Sequence, residues 1–305
     1  MSRKPIPWTP RDIPDLTGRT VLITGANSGL GLESTRMLAR RGAHVIMACR
    51  NREKGHAAIE SLRARDSELD LNLMQLDLAD LSSVRDFAQR IKDHYAKLDI
   101  LLNNAGVMAP PLQHTRDGFE MQFGTNHLGH FALTGLLLDG LRESQASRVV
   151  TVSSLAHRIG SLNFENLDAK RGYQRWGFYG QSKLANLMFA LELDRRLRAA
   201  GEAIQSMAVH PGYSATNLQR TIPGHSLFNA VTAQSQEKGA CPSVFAATSP
   251  QAESGHYYGP HGFQELWGMP AEASMRRLAR NQDVAHKLWS VSQDLTGVTY
   301  SGLDN

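Results

Sequence analysis

Short apolar runs alternate along the chain with longer stretches in which apolar residues recur every three or four positions. The short runs, rich in β-branched residues, lie at 20–24, 44–48, 72–75, 100–103, 148–153 and 204–210, and they read as strands. The longer stretches at 30–40, 53–64, 82–97, 118–141 and 178–199 read as helices between them. Gly42 and Gly201 stand where two of these helices should stop, as glycines past helix C-termini do. Strand and helix taking turns in this way predicts βαβ units and a parallel sheet. Beyond residue 211 the periodicity fades. Residues 211–237 are polar and dotted with glycine, 238–248 reads as a helix, "SGHYYGPHG" as a loop, and 283–295 as a last helix. No repeat and no linker divides the chain, so an arm at 1–17 precedes one domain at 18–305, with 213–237 as a substrate lid.

Composition narrows the setting. The chain has 305 residues, 41% of them hydrophobic, enough for a substantial core. The net charge is only +4, and proline and tryptophan interrupt the basic run at 2–11, which reads as a solvated arm and not as a nucleic-acid arm. Cys49 and Cys241 are too far apart for a metal spacing or a disulfide framework, which points to a reducing compartment. His127 and His130 are spaced like a metal pair, but no third ligand accompanies them, and they read as core histidines. No signal peptide, lipidation motif or apolar run of about 18 residues is present, so no membrane span and a cytoplasmic location are expected.

The chemistry begins at "VLITGANSGLG". A strand hands over to a helix here, and a tight turn at that point favours residues without Cβ. A glycine-lined helix N-terminus also lets a pyrophosphate approach the backbone N–H groups at the positive end of the helix dipole. The spacing of Gly25, Gly29 and Gly31 is G-x-x-x-G-x-G, a variant of the dinucleotide fingerprint, and the expected architecture is a single-domain Rossmann fold, a doubly wound parallel sheet flanked by helices. The second strand ends "ACRN". It lacks the carboxylate that usually receives the ribose hydroxyls of NAD, and Arg50 stands there instead, with Arg52 close behind. A guanidinium fork suits a phosphate, so the cofactor expected is NADP(H), with its 2′-phosphate on Arg50.

These residues resemble the short-chain dehydrogenases/reductases. "TGANSGLG" looks like their cofactor loop, "NNAG" at 103–106 like the motif ending their fourth strand, and "SS" at 153–154 with "YGQSK" at 179–183 like their catalytic serine and Tyr-x-x-x-Lys. "HPG" at 210–212 is similar to the segment after their sixth strand. "TNHLGHF", "SSLAH" and "SKLAN" are similar to the retinol-dehydrogenase-like branch, which also holds bacterial enzymes and the protochlorophyllide reductases. Membrane-anchored members often carry an apolar N-terminal anchor. This sequence does not, which points away from a membrane role and a retinoid substrate.

The resemblance implies the roles. Tyr179 and Lys183 are four apart on a helix and share a face. The ammonium and a positive nicotinamide should lower the tyrosine pKa from about 10, fitting Tyr179 to exchange a proton with an alcohol or carbonyl oxygen. Lys183 would also hold the nicotinamide ribose. Of the two serines, the family register favours Ser154 over Ser153 for steadying charge on the substrate oxygen. Asn126 would hold a water linking Lys183 to solvent. Asn27, Ser28 and Leu30 belong to the glycine loop, Asp77 should bond the adenine amino group with Leu78 beside it, and Asn104, Ala105 and Gly106 should line the adenosine ribose. Pro211, Gly212 and Thr216 should meet the carboxamide end of nicotinamide. Read without the resemblance, Asp77 and Thr216 are equally helix caps, and Pro211–Gly212 a turn. The expected substrate is an apolar alcohol, aldehyde or ketone. Reduction of a carbon–carbon double bond and a non-catalytic NADP(H) sensor are the rival readings, and family members often pair as homodimers through the helices carrying Asn126 and Tyr179.

Overall fold

The computed structural model of the chain describes residues 5–213 and 234–304. Its strands are β1 (Thr20–Thr24), β2 (His44–Cys49), β3 (Leu71–Gln75), β4 (Ile100–Asn103), β5 (Arg148–Val152), β6 (Gln205–Val209), β7 (Tyr257–Pro260) and β8 (Pro270–Glu272). They form one sheet in the order β3-β2-β1-β4-β5-β6-β7-β8, parallel except for β8. Between them run α1 (Gly29–Ala39), α2 (Arg52–Arg63), α3 (Leu81–His94), α4 (Met121–Phe123), α5 (Gly129–Leu136), α6 (Leu138–Arg142), α7 (Arg175–Ala199), α8 (Gln236–Thr248) and α9 (Gln282–Thr296).

Alternation along the strands splits the core. Val21 and Ile23 face one layer, with Met37 and Leu38 of α1, Ile59 of α2 and Phe245 of α8. Leu22 faces the other, with Phe87 of α3, Phe131 of α5, Phe189 of α7 and Trp289 of α9. Leu22, Phe87 and Phe131 are fully buried, and each such side chain contributes roughly 1.5–3 kcal/mol by leaving water. The strand order reverses at β1, whose neighbours are β2 and β4. Ligands bind in such sheets in the crevice at that reversal, outside the carboxyl ends of the strands. No helix among the described residues is long and apolar enough to cross a membrane.

Four expectations are corrected. The helix expected over 118–141 is broken: Gly118 turns at φ +87°, a π-helical turn spans Gly124–Leu128, and α5 and α6 are separated at Leu137. The expected loop "SGHYYGPHG" contains β7, whose four residues are all buried. Glycine and proline are turn signals in a sequence, but at this end of the sheet β7 pairs with β6 through only Tyr257 and Tyr258, and Pro260 faces Pro270 of β8. The basic segment is not wholly solvated, because Trp8 is buried edge-on against Phe245 and Ile6 N–H donates to Pro270 O. The fourth correction concerns Tyr179. Most of the expected lid, with Thr216, lies outside the described residues. Its flanks are joined by Gln234, which donates to Tyr213 O at 3.0 Å and to Pro211 O at 2.6 Å.

Candidate active site

A cavity of about 520 Å³ runs across the carboxyl ends of the strands, from Arg50 and Asp77 at one end to Trp176 and Tyr213 at the other. Gly25, Asn27, Ser28, Gly29, Leu30 and Gly31 line it where β1 passes into α1. Gly25 has φ +66°, a left-handed conformation that a side chain would strain. Gly31 serves close approach: a Cβ there would sit 2.4 Å from Gly25 O and 2.6 Å from Asn104 Nδ2. Asn51 and Asp80 cap α2 and α3 with their side chains, whereas Ser28 at the N-cap of α1 makes no such bond. The first-turn N–H groups of α1 are therefore left to whatever enters the cavity.

The end of the cavity at Arg50 and Asp77 is built from the ends of β2, β3 and β4. Arg50 is exposed at the cavity edge, and no described carboxylate pairs with it. Asp77 and Leu78 line the next stretch. Asp77 does not cap α3, which Asp80 does; one of its oxygens accepts from Ala79 N at 3.0 Å. Asn104, Ala105 and Gly106 form the wall. Thr24, which the sequence reading passed over as the last residue of a strand, holds that wall. Its hydroxyl accepts from Asn104 N and Ala105 N, both at 2.9 Å, and its carbonyl accepts from Asn104 Nδ2 at 2.8 Å.

At the other end Ser154, Tyr179 and Lys183 line the same cavity. The two serines part company here. Ser153 is buried and donates to Lys183 O at 2.7 Å, while the Ser154 hydroxyl, which accepts from Ala156 N at 3.1 Å, lines the cavity with Tyr179. Lys183 Nζ lies 5.8 Å from the centre of the Tyr179 ring and donates to Val152 O at 3.2 Å. The expected lowering of the tyrosine pKa is reversed in the protein alone. Burial pushes Tyr179 up to about 12, against the lowering influence of the Ser154 hydroxyl, and pulls Lys183 down to about 8. Spacing shows that two groups share a helix face; it does not show how much water both have lost.

Asn126 sits behind this wall, not in it. Its Oδ1 accepts from Val107 N at 2.8 Å, and its Nδ2 donates to Val107 O at 3.0 Å and Ser182 Oγ at 2.9 Å. A Cβ on Gly106 would come 3.1 Å from Asn126 Oδ1 and 3.5 Å from Lys183 Nζ, so both residues flank that glycine. Pro211, Gly212 and Tyr213 close the far rim. Their segment is braced from the loop before β8. Gly212 N donates to His210 Nδ1 at 3.1 Å, His210 Nε2 meets Glu265 Oε2 at 3.2 Å, and Tyr213 N donates to Leu266 O at 2.8 Å. Glu265 also accepts from Arg158 Nη2 and from both the N–H and the hydroxyl of Ser274; against burial, the bonds from His210 and then Ser274 hold it well below the carboxylate range, at about 2. No sequence signal marks Glu265. Trp176 and Tyr213 line the cavity, while Phe178 packs on Tyr173.

Residues 19–226 match the family model described as short chain dehydrogenase. Human retinol dehydrogenase 13 is 41% identical over 295 residues, covering 93% of this chain and 86% of that protein. Mouse retinol dehydrogenase 12 is 42% identical over 290 residues, covering 93% and 88%. An uncharacterised protein of Mycobacterium paratuberculosis, solved by crystallography, shares 45% identity and a TM-score of 0.81, with 96% of this chain and 98% of that one covered. RhlG of Pseudomonas aeruginosa, solved as an NADP active-site complex, shares 25% identity and a TM-score of 0.64, with 80% and 94% covered. Sequence, fold and relatives agree that the chain belongs to the short-chain dehydrogenase/reductase family of oxidoreductases, in its retinol-dehydrogenase-like branch.

Proposed function

We propose that the protein uses NADP(H) to interconvert an alcohol and a carbonyl on an apolar substrate, with Tyr179 as general acid and base. The observation that carries this reading is one cavity with two ends: the glycine-lined, uncapped start of α1 and the unpaired Arg50 at one, and Ser154, Tyr179 and Lys183 at the other. A dinucleotide fits that cradle. Its pyrophosphate would meet the α1 N–H groups past Gly25 and Gly31, its 2′-phosphate Arg50, its adenine Asp77 and Leu78, and its adenosine ribose the Asn104–Gly106 wall. Pro211 and Gly212 would receive the carboxamide. RhlG, crystallised with NADP, supports the choice of cofactor by likeness. When bound, the nicotinamide supplies or accepts the hydride.

The protein's own groups handle the oxygen and its proton. Ser154 donates to the substrate oxygen and stabilises charge that develops there. Tyr179, pushed up to about 12, is protonated at neutral pH and is ready to give its proton to a carbonyl oxygen; in the oxidative direction it must first lose that proton. Lys183, pulled down to about 8, remains mostly charged at pH 7 and favours the phenolate that proton transfer leaves behind. The apolar lining from Leu155, Ala156 and Trp176 supports an apolar substrate. The test is consumption of NADPH and NADH across aldehydes, ketones, quinones and an activated alkene, with product analysis. NADPH-dependent alcohol formation that falls at least about 1,000-fold in Tyr179→Phe is expected, since the variant loses the proton donor outright. Turnover that survives in Tyr179→Phe, or reduction of the alkene alone, overturns the reading.

A further inference from the structure

His130 is fully buried and belongs to none of the roles above. Nor does it pair with His127 on a metal, since His127 Nε2 meets Ser292 Oγ at 2.9 Å in a different direction. The His130 ring lies between two parts of the cavity. Its Nδ1 is 2.8 Å from the carbonyl oxygen of Asn126, in the π-helical turn, and its Nε2 is 2.9 Å from Thr24 Oγ1, at the end of β1. These contacts dictate where the protons are. A carbonyl oxygen only accepts, so Nδ1 must carry hydrogen. Burial pulls the ring's pKa down to about 4, so it is neutral and Nε2 is an acceptor. The Thr24 hydroxyl therefore donates to Nε2. The other acceptor in its reach, Leu102 O, is 3.4 Å away, outside normal O–H···O range. With its hydrogen committed, Thr24 Oγ1 turns its lone pairs to Asn104 N and Ala105 N.

We propose that His130, held in its Nδ1–H tautomer, is a positioning residue that ties the nucleotide wall at Asn104 and Ala105 to the turn carrying Asn126, so that the two halves of the cavity keep one register. The link runs from the wall N–H groups to the Thr24 hydroxyl, on to the ring, and from the ring to the Asn126 carbonyl. Asn126 and Lys183 both flank Gly106, and Asn126 Nδ2 donates to Ser182 Oγ, one residue before the lysine. This carbonyl lies within the π turn, where the backbone departs from the i→i−4 bonding of an α-helix, and a ring nitrogen from one turn ahead meets it. The second half of the inference rests on the cavity being a dinucleotide site; the tautomer does not.

The experiment has two arms for that reason. Long-range ¹⁵N–¹H spectra of the intact, cofactor-free chain labelled at histidine report the tautomer directly. Nδ1–H with a bare Nε2, unchanged between pH 8 and pH 6, is expected for His130. An Nε2–H tautomer or a ring that gains a proton in that range overturns the proposal, even where no variant folds. The second arm titrates NADPH into His130→Gln and His130→Asn. The glutamine oxygen reaches the place of Nε2 and keeps the Thr24 bond, whereas the asparagine amide reaches only the place of Nδ1. Glutamine should hold the NADPH Kd within threefold of the parent, and asparagine should raise it at least tenfold. Equal losses in both variants, or no loss in either, overturn the positioning role. Absence of NADPH binding in the parent protein, with the tautomer as expected, sinks the dinucleotide reading instead.

Discussion

Replacing Lys183 with methionine is expected to stabilise the fold while abolishing turnover. Lys183 is almost wholly buried, and burial pulls its pKa from 10.5 to about 8. At about 1.4 kcal/mol per unit, keeping the ammonium charged at pH 7 costs the folded protein about 3 kcal/mol. Methionine removes that charge and keeps a flexible, unbranched side chain. The carbonyl that Lys183 leaves is not orphaned, because Asn186 Nδ2 also donates to Val152 O, at 3.1 Å. The lost charge-assisted bond offsets about 1.5 kcal/mol, which leaves a net gain of about 1–2 kcal/mol. Function and stability therefore pull in opposite directions at this position, as they do where a site demands a buried charge.

The pH dependence separates this cause from better packing. The folded pKa of Lys183 lies below the unfolded one, so between about pH 8 and 10.5 the unfolded chain binds the proton more tightly. Parent stability should rise with pH across that window, and the variant should lack this rise. Urea unfolding of the cofactor-free proteins at pH 7 and pH 9.5 measures both. The stability gap should shrink by more than about half at the higher pH. A variant less stable than the parent at pH 7, or a gap equal at the two pH values, refutes the reasoning.

Other positions give sharp outcomes too. Arg50→Ala should weaken NADPH binding about ten- to a hundredfold, the loss of one charged hydrogen-bonding partner, and leave NADH binding unchanged; paired titrations check it. Gly31→Ala would bring a Cβ to 2.4 Å from Gly25 O, so the loop and α1 must part, and a fall of at least about tenfold in NADPH affinity should follow without any change at the catalytic end. Glu265 has its pKa lowered from 4.5 to about 2, so its contribution is present above pH 4.5 and is lost as pH falls toward 2. Glu265→Gln should therefore cost about 3 kcal/mol at neutral pH, and the difference from the parent in urea unfolding should fall by more than about half at pH 3.

What the sequence made legible was what short stretches of chain decide for themselves. The six strands expected from apolar runs all form, each starting within one residue of the expected position and β1 and β4 matching at both ends, because a β-branched run between turn signals has little else to do. The glycine loop was readable in part for the same reason: Gly25 turns at a positive φ and Gly31 passes close to Gly25 O, six positions back, although Asn104 also crowds Gly31. Tyr179 and Lys183 were readable as a pair because four residues make one helical turn. The missed features depend on contacts between distant segments. β7 carries glycine and proline, and it is a strand only because β6 and β8 lie on either side of it. The turn at Gly124–Leu128 lies inside a longer apolar helical pattern, and that pattern does not distinguish a π turn from an α turn.

The same division explains the chemistry at Tyr179. Its neighbour Lys183 is written in the sequence, but the water that both have lost is not, and burial sets the direction of both shifts. It explains His130 as well. Two histidines three apart look like a pair in one dimension. In the fold one turns to Ser292, 165 positions away, and the other to Thr24, 106 positions away. Thr24 itself looked like the end of a strand, yet its hydroxyl is where β1, the Asn104–Ala105 wall and the Asn126 turn meet. The residues that touch substrate and cofactor can be sought by motif. Those that hold them in register are set by long-range contacts, and His130 and Glu265 are the two places in this protein where that register is open to measurement.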